Sequence, residues 1–104
     1  MIKAQFLATK GKLKGFAIKG HAGYALFGED IVCASVSSSV MMTANTVTEI
    51  FKVKADISVN DNEIRCGLLE DSEDASKVIE GLKLHLQLLS EDYPNTIKVN
   101  ISEV

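Results

Sequence analysis

Five segments of this sequence alternate apolar and polar side chains, and two longer stretches between them repeat apolar side chains every three or four residues. A period of two is expected of a β-strand with one face in solvent, and a period near 3.6 is expected of an amphipathic α-helix. The order of these patterns predicts ββαββαβ. The predicted strands cover residues 2–9, 13–19, 53–59, 64–68 and 97–102.

Each helical stretch carries a start signal. Asp30 is the predicted N-cap of the first helix, and Ser72, followed by two acidic residues, is the predicted N-cap of the second. We expect the second helix to end before Pro94. The apolar stripe of the first helix comprises Val32, Val36, Val40, Thr43, Val47, Ile50 and Phe51, and that of the second comprises Ala75, Val78, Ile79, Leu82, Leu86 and Leu89.

These elements predict a two-layer α+β sandwich. Every predicted strand has one apolar and one polar side, so both helices are expected on the same face of a five-stranded, mostly antiparallel sheet. A chain of 104 residues holds one hydrophobic core, which makes residues 1–104 a single domain. Leu84 and Leu88 lie outside the stripe of the second helix, where they either pack against the first helix or form a subunit interface.

Composition narrows the class of protein. Hydrophobic residues make up 46% of the chain and charged residues 24%, as in ordinary globular domains, so disorder and coiled coil are excluded. No apolar run approaches the roughly 20 residues of a membrane span, and the start Met1-Ile2-Lys3 lacks the apolar stretch of a signal peptide. We therefore predict a cytoplasmic protein without membrane contacts, in which Cys33 and Cys66 are free thiols.

Charge is distributed unevenly along the chain. Residues 1–54 carry seven lysines against three acidic residues, whereas residues 55–104 carry four basic against eleven acidic residues. Five of the lysines lie between Lys3 and Lys19, and this basic edge is either solvated surface or a contact for RNA or an acidic partner. Because that stretch contains no Trp, no Arg and no aromatic spacing suited to base stacking, direct nucleic-acid binding is not favoured.

Residues 20–30 form a predicted loop that contains Gly20, Gly23, Gly28 and His21. With Asp30 as N-cap, Cys33 is the third helical residue, where free backbone N–H groups and the helix dipole favour a thiolate. Twelve residues separate His21 from Cys33, enough for the loop to return and for the histidine to take the thiol proton.

Two further residues, Ser37 and Asp30, belong to the surroundings of His21 and Cys33. Ser37 follows Cys33 by one helical turn on the same flank. The Asp30 carboxylate disfavours a negatively charged thiolate at Cys33 unless it caps the helix or pairs with His21. The alternative is that the cysteine is packed and inert and the histidine lies on the surface. A metal site is not predicted, because two His and two Cys at positions 21, 33, 66 and 85 lack paired ligand spacing.

The motif from Gly20 to Ser37 resembles the signature of the ribosomal-processing cysteine proteases, the Prp family. The matching residues are Gly20-His21-Ala22, Gly28 and Asp30-Ile31-Val32-Cys33-Ala34. The resemblance implies a cofactor-free endopeptidase with His21 and Cys33 as catalytic dyad and Ser37 as a supporting residue. It also implies a homodimer that removes an amino-terminal extension from the twenty-seventh large-subunit ribosomal protein, cutting after a pair of phenylalanines.

The spacer at residues 23–27 is more apolar than this family pattern leads us to expect. Tyr24, Leu26 and Phe27 are candidates for a lid over an apolar substrate, or they pack the loop onto the domain. The second function class is a non-catalytic, ribosome-associated binding module that uses the basic amino-terminal hairpin and has an inert cysteine.

Overall fold

The computed structural model describes residues 1–20, 27–60 and 62–104, with side chains described for all of these except residues 27–30. The predicted element order ββαββαβ is confirmed. The strands are β1 (Ile2–Thr9), β2 (Lys12–Lys19), β3 (Ala55–Val59), β4 (Glu63–Leu68) and β5 (Ile97–Glu103), and the helices are α1 (Phe27–Asn45) and α2 (Glu73–Asp92).

The five strands form one mixed sheet in the order β3-β4-β2-β1-β5. All neighbouring pairs are antiparallel except β1 and β5, which are parallel. Side chains from one face of this sheet share a single core cluster with buried side chains of both helices, among them Val32 of α1 and Leu86 of α2. The predicted two-layer α+β sandwich with both helices on one face is therefore confirmed.

The centre of the core is a register row that crosses three strands. Phe6 of β1 lies opposite Phe16 of β2, which lies opposite Cys66 of β4, and all three side chains are almost completely buried. The two phenylalanine rings are tilted against each other with centroids 6.2 Å apart, a favourable aromatic geometry. The other face of the sheet is polar and carries neither helix.

The start of α1 differs from the sequence prediction. The helix begins at Phe27, so Asp30 is its fourth residue and not its N-cap, and Phe27 and Gly28 belong to the helix and not to a loop. Glu29 and Asp30 explain the difference, because carboxylates are as favourable in the first turn of a helix as at its N-cap. The remaining predicted loop residues Gly23, Tyr24 and Leu26 lie, like His21, outside the described residues.

The end of this helix differs as well. α1 continues into one π-helical turn at Thr46–Ile50, in which the Phe51 N–H donates to the Thr46 carbonyl oxygen at 3.0 Å. This turn breaks the 3.6-residue period on which the predicted apolar stripe rests. Ile50 and Phe51 are consequently exposed, at 72% and 40%. The prediction that these two residues belong to the buried stripe is therefore wrong, whereas Val47 is fully buried.

The segment Ile31–Ile50 is long and apolar enough to cross a bilayer by length and composition, with a mean hydropathy of 1.2. Three of its buried side chains, Val32, Val36 and Val40, pack into the same cluster as the sheet, and Val47 packs into a second cluster with Val53 and Ala75. A third of this window is buried, and the buried side packs on the sheet.

α2 matches its prediction closely. The Ser72 hydroxyl accepts a hydrogen bond from the Ala75 N–H at 3.1 Å, which confirms the predicted N-cap. Leu82 and Leu86 are buried on the core side, while Leu84 and Leu88 are 55% and 51% exposed. Packing of Leu84 and Leu88 against the first helix, one of the two alternatives, is therefore wrong.

Candidate active site

Cys33 lies in the second turn of α1, where its side chain is half-buried against the edge of the core cluster. It borders a cleft of about 260 Å³ between the amino-terminal half of α1 and one end of the sheet. Ser37 lies one turn further along α1 and borders the same cleft. The structure therefore brings these two predicted site residues together on one wall.

The opposite wall is built from four strands. Val59 of β3, Ile64 of β4 and Ile18 of β2 form one register row, and Ile2 of β1 adjoins it. Apolar side chains from α1 complete the cleft, whose rim carries two asparagines. Its lining residues are Ile2, Ile18, Gly20, Cys33, Val36, Ser37, Val40, Val59, Asn60, Asn62, Glu63 and Ile64.

Among the described lining residues, Glu63 is the one that carries a charge. Strand alternation points its side chain to the face opposite Ile64, where its carboxylate lies 3.8 Å from the Arg65 guanidinium. A cleft of this size is below the roughly 300–1,000 Å³ of sites for drug-sized ligands. Its size and apolar walls suit one or two apolar side chains of a larger molecule.

Gly20 fixes the path of the chain at the rim of this cleft. Its φ of +82° is a left-handed conformation that favours glycine. Its N–H donates to the Asn62 carbonyl oxygen at 2.9 Å, and a Cβ at this position would lie 2.9 Å from the Met1 carbonyl oxygen. The residue directly after Gly20 is His21, and its distance from Cys33 lies outside the described residues.

The position of Cys33 in the helix corrects one part of the sequence argument. Because α1 begins at Phe27, Cys33 is its seventh residue and not its third. The backbone N–H groups without an intrahelical partner belong to residues 27–30, one turn before the cysteine. The influence of the helix dipole falls off within that first turn. The prediction that the dipole favours a thiolate at Cys33 is therefore wrong.

The second cysteine has a different environment. Cys66 is only 2% exposed, and burial, together with the nearby Asp56 carboxylate, raises the pKa of its thiol to about 11. Such a thiol is protonated at neutral pH and does not react as a nucleophile. Both cysteines are free thiols, as the sequence predicts, and of the two only Cys33 borders the cleft.

The part of the chain that the structure describes contains no group of three or more His, Cys, Asp or Glu side chains that could hold a metal ion.

Sequence reasoning missed the strand wall of the cleft. Ile2, Ile18, Val59 and Ile64 look like ordinary core positions in the sequence, and only the strand register places them opposite Cys33. The one available signal was that all four are apolar residues near strand ends.

Comparison with known proteins assigns the family. The sequence profile of the family described as "Cysteine protease Prp" matches residues 1–98 of the chain. The chain belongs to the Prp family of cysteine proteases.

Two proteins named "Ribosomal processing cysteine protease Prp" agree with this assignment. That of Staphylococcus aureus (strain Mu50) is 27% identical over 95 residues, covering 88% of this chain and 89% of the relative. That of Bacillus subtilis (strain 168) is 28% identical over 107 residues, covering 95% and 96%.

Solved structures share the fold. SMU.848 from Streptococcus mutans superposes with a TM-score of 0.87 at 26% identity and covers 100% of this chain and 96% of its own. The Prp protease of S. aureus in complex with a substrate peptide gives a TM-score of 0.89 at 23% identity, covering 98% and 100%. Membership of the Prp family makes this chain a cysteine protease of the ribosomal-processing type.

Proposed function

We propose that this protease removes the amino-terminal extension of the twenty-seventh large-subunit ribosomal protein in the cytoplasm, without a cofactor, by cutting after a Phe-Phe pair. The observation that carries the proposal is the half-buried Cys33 thiol at the edge of an apolar cleft. Phenylalanine side chains fit walls of this kind, because their burial against aliphatic groups is favourable and requires no polar partner.

Cys33 is the proposed nucleophile and His21 the proposed base. His21 accepts the thiol proton, the sulfur attacks the peptide carbonyl, and His21 returns the proton to the leaving amine. Water, activated by the same histidine, then hydrolyses the thioester. The free N–H groups at the start of α1 are the candidates for holding the oxyanion.

Three further site predictions belong to this proposal. Ser37 supports the site from the turn after Cys33, and Asp30 pairs with His21 in its charged form. Tyr24 and Leu26 close over the bound substrate as a lid, together with the Phe27 side chain. Hydrogen exchange of residues 20–30 with and without an uncleavable peptide tests the lid, and equal, strong protection in both states would contradict it.

The test of the main proposal is incubation of the protein with the ribosomal protein of its own organism, followed by mass measurement. We expect loss of the extension, and no cleavage by Cys33→Ala or His21→Ala, each of which should unfold as cooperatively as the wild type. Cys66→Ala is the matched control and should cleave, because its thiol is protonated and lies outside the cleft. An intact extension after long incubation would contradict the proposed substrate.

A further inference from the structure

The outer edge of β3 has no strand partner in the part of the chain that the structure describes. β3 is the first strand in the sheet order and pairs only with β4. Natural edge strands are commonly protected by charged side chains or proline against pairing with another chain. β3 carries one charged side chain, Asp56, on the face away from the helices, and two exposed apolar side chains on the helix side, Ile57 at 37% and Val59 at 62%.

The hydrogen-bond register shows which backbone groups of β3 are available. The Leu69 N–H donates to the Lys54 carbonyl oxygen at 2.9 Å, and the Asn60 N–H donates to the Glu63 carbonyl oxygen at 3.0 Å. In an antiparallel ladder the bonded pairs alternate with non-bonded pairs, so residues 54, 56, 58 and 60 bond to β4. The N–H and C=O groups of Ala55, Ile57 and Val59 therefore point away from the sheet.

The same residues direct their side chains toward the helices. Val59, Ile64 and Ile18 form the register row that lines the cleft opposite Cys33, and Val59 is the last residue of that row. A strand added to the edge of β3 would place one residue opposite Val59 and extend the row by one side chain. That side chain would lie at the mouth of the cleft.

We propose that the outer edge of β3 binds the polypeptide substrate as an added β-strand, with Ile57 and Val59 providing the backbone hydrogen bonds that lead the substrate into the cleft. This inference rests on the proposed function, since it concerns the substrate of the same site. It adds a binding surface made of main-chain groups, which accept many sequences.

The geometry of the β3 edge determines which side chains of the bound substrate face the cleft. Residues opposite Ile57 and Val59 face the helix side, so every second residue of the bound segment contacts the apolar end of the cleft. The residues between them face solvent and tolerate polar side chains. Blocking the backbone N–H of every second residue by N-methylation should abolish binding, and blocking the others should leave it intact.

The experiment uses a peptide of about twelve residues that spans the proposed cleavage site. Cleavage of this peptide by the wild-type protein tests the proposed function. The same peptide is then bound to the Cys33→Ala variant, and hydrogen exchange of single amides is measured by NMR. This measurement tests whether the peptide pairs with the outer edge of β3. We expect exchange at Ile57 and Val59 to slow at least tenfold, whereas Asp56 and Ser58, already bonded to β4, serve as internal controls with unchanged exchange.

The variant Ile57→Pro provides a second measurement, because proline removes an outward N–H that does not bond to β4. Ile57→Ala removes the side chain and keeps that N–H. Loss of one hydrogen bond, about 0.5–1.5 kcal/mol, corresponds to a roughly two- to tenfold higher KM for Ile57→Pro than for Ile57→Ala.

The outcomes separate the two proposals. A peptide that is cleaved while exchange at Ile57 and Val59 stays unchanged overturns the edge inference and leaves the proposed function intact. Protection of these amides in the peptide-free protein that increases with protein concentration also overturns the inference, because the edge then binds a second copy. A peptide that is not cleaved overturns the proposed function, and the inference falls with it.

Discussion

Gly15 of β2 lies so close to β4 that a larger residue does not fit without a shift of the backbone. A Cβ at this position would lie 2.5 Å from the Cys66 carbonyl oxygen and 3.2 Å from the Gly67 Cα. The glycine thus permits the close approach of two central strands, whose row of Phe16 and Cys66 forms the middle of the core.

We expect Gly15→Ala to lower the free energy of unfolding by about 1–3 kcal/mol, because the added methyl group forces these strands apart. The matched control is Gly67→Ala, which alters the residue directly opposite in the register and meets no atom within 4 Å. Urea denaturation of both variants measures the difference. Equal stabilities would show that β2 and β4 adjust without cost.

Cys66 makes the stability of the fold depend on pH. Burial raises the pKa of its thiol from 9.0 to about 11 in the folded protein. Because the folded pKa is the higher one, the contribution of the neutral thiol is present below pH 9 and is lost as the pH rises toward 11. A difference of two pKa units corresponds to about 3 kcal/mol.

We therefore expect the free energy of unfolding of the wild type, relative to Cys66→Ala, to fall by up to about 3 kcal/mol between pH 8 and 11. Urea denaturation at several pH values measures this, and the comparison with the variant cancels the titration of lysines. A stability difference independent of pH would show that the Cys66 thiolate is solvated in the folded state.

At the scale of elements, the sequence predicts strands and α2 well and α1 less well. Amphipathic alternation and the cap at Ser72 are local signals, which act within a few residues. The π-turn at Thr46–Ile50 follows a run of hydroxyl side chains that donate to carbonyls four residues earlier, including Thr43 to Ser39 and Thr46 to Met42. Such bonds compete with the regular helix ladder and bend helices, an effect that hydrophobic periodicity does not record.

The N-cap of α2 gives a prediction at this scale. Ser72→Ala removes the acceptor for the Ala75 N–H, and we expect a loss of about 1 kcal/mol of stability. Ser90→Ala is the control, because the Ser90 hydroxyl donates to the Gln87 carbonyl oxygen near the other, exposed end of the helix. Thermal unfolding compares the two variants. A loss as large for Ser90→Ala would mean that the cap has no special role.

At the scale of the whole molecule, the cleft beside Cys33 depends on long-range register. Sequence reasoning identifies Cys33 and Ser37 because they share one helix face. It does not identify Val59 and Ile64 as their opposite wall, because that relation requires the pairing of β3 with β4 and of β4 with β2. The alternation of side chains along a strand predicts which face of the sheet a residue occupies. Only the order and register of the strands predict its neighbours on adjacent strands.

The exposed side of α2 is a candidate contact between two chains. Leu84 and Leu88 lie one turn apart on the side of α2 away from the core, and each is about half exposed. Because the sheet and α1 leave both side chains uncovered, we propose that they form a two-fold contact in a homodimer, where one patch serves both subunits. Complete burial of a leucine contributes about 1.5–3 kcal/mol, and four such side chains would meet in the interface.

We expect the double variant Leu84→Lys, Leu88→Lys to be monomeric in sedimentation experiments at concentrations where the wild type is dimeric, since it removes the apolar side chains of the contact and the two-fold axis brings the new like charges together. Leu69→Lys is the matched control, because Leu69 is 68% exposed and lies outside α2. This control should leave the dimer intact. An unchanged dimer in the double variant would remove these leucines from the interface, and a monomeric wild type at micromolar concentration would remove the interface itself.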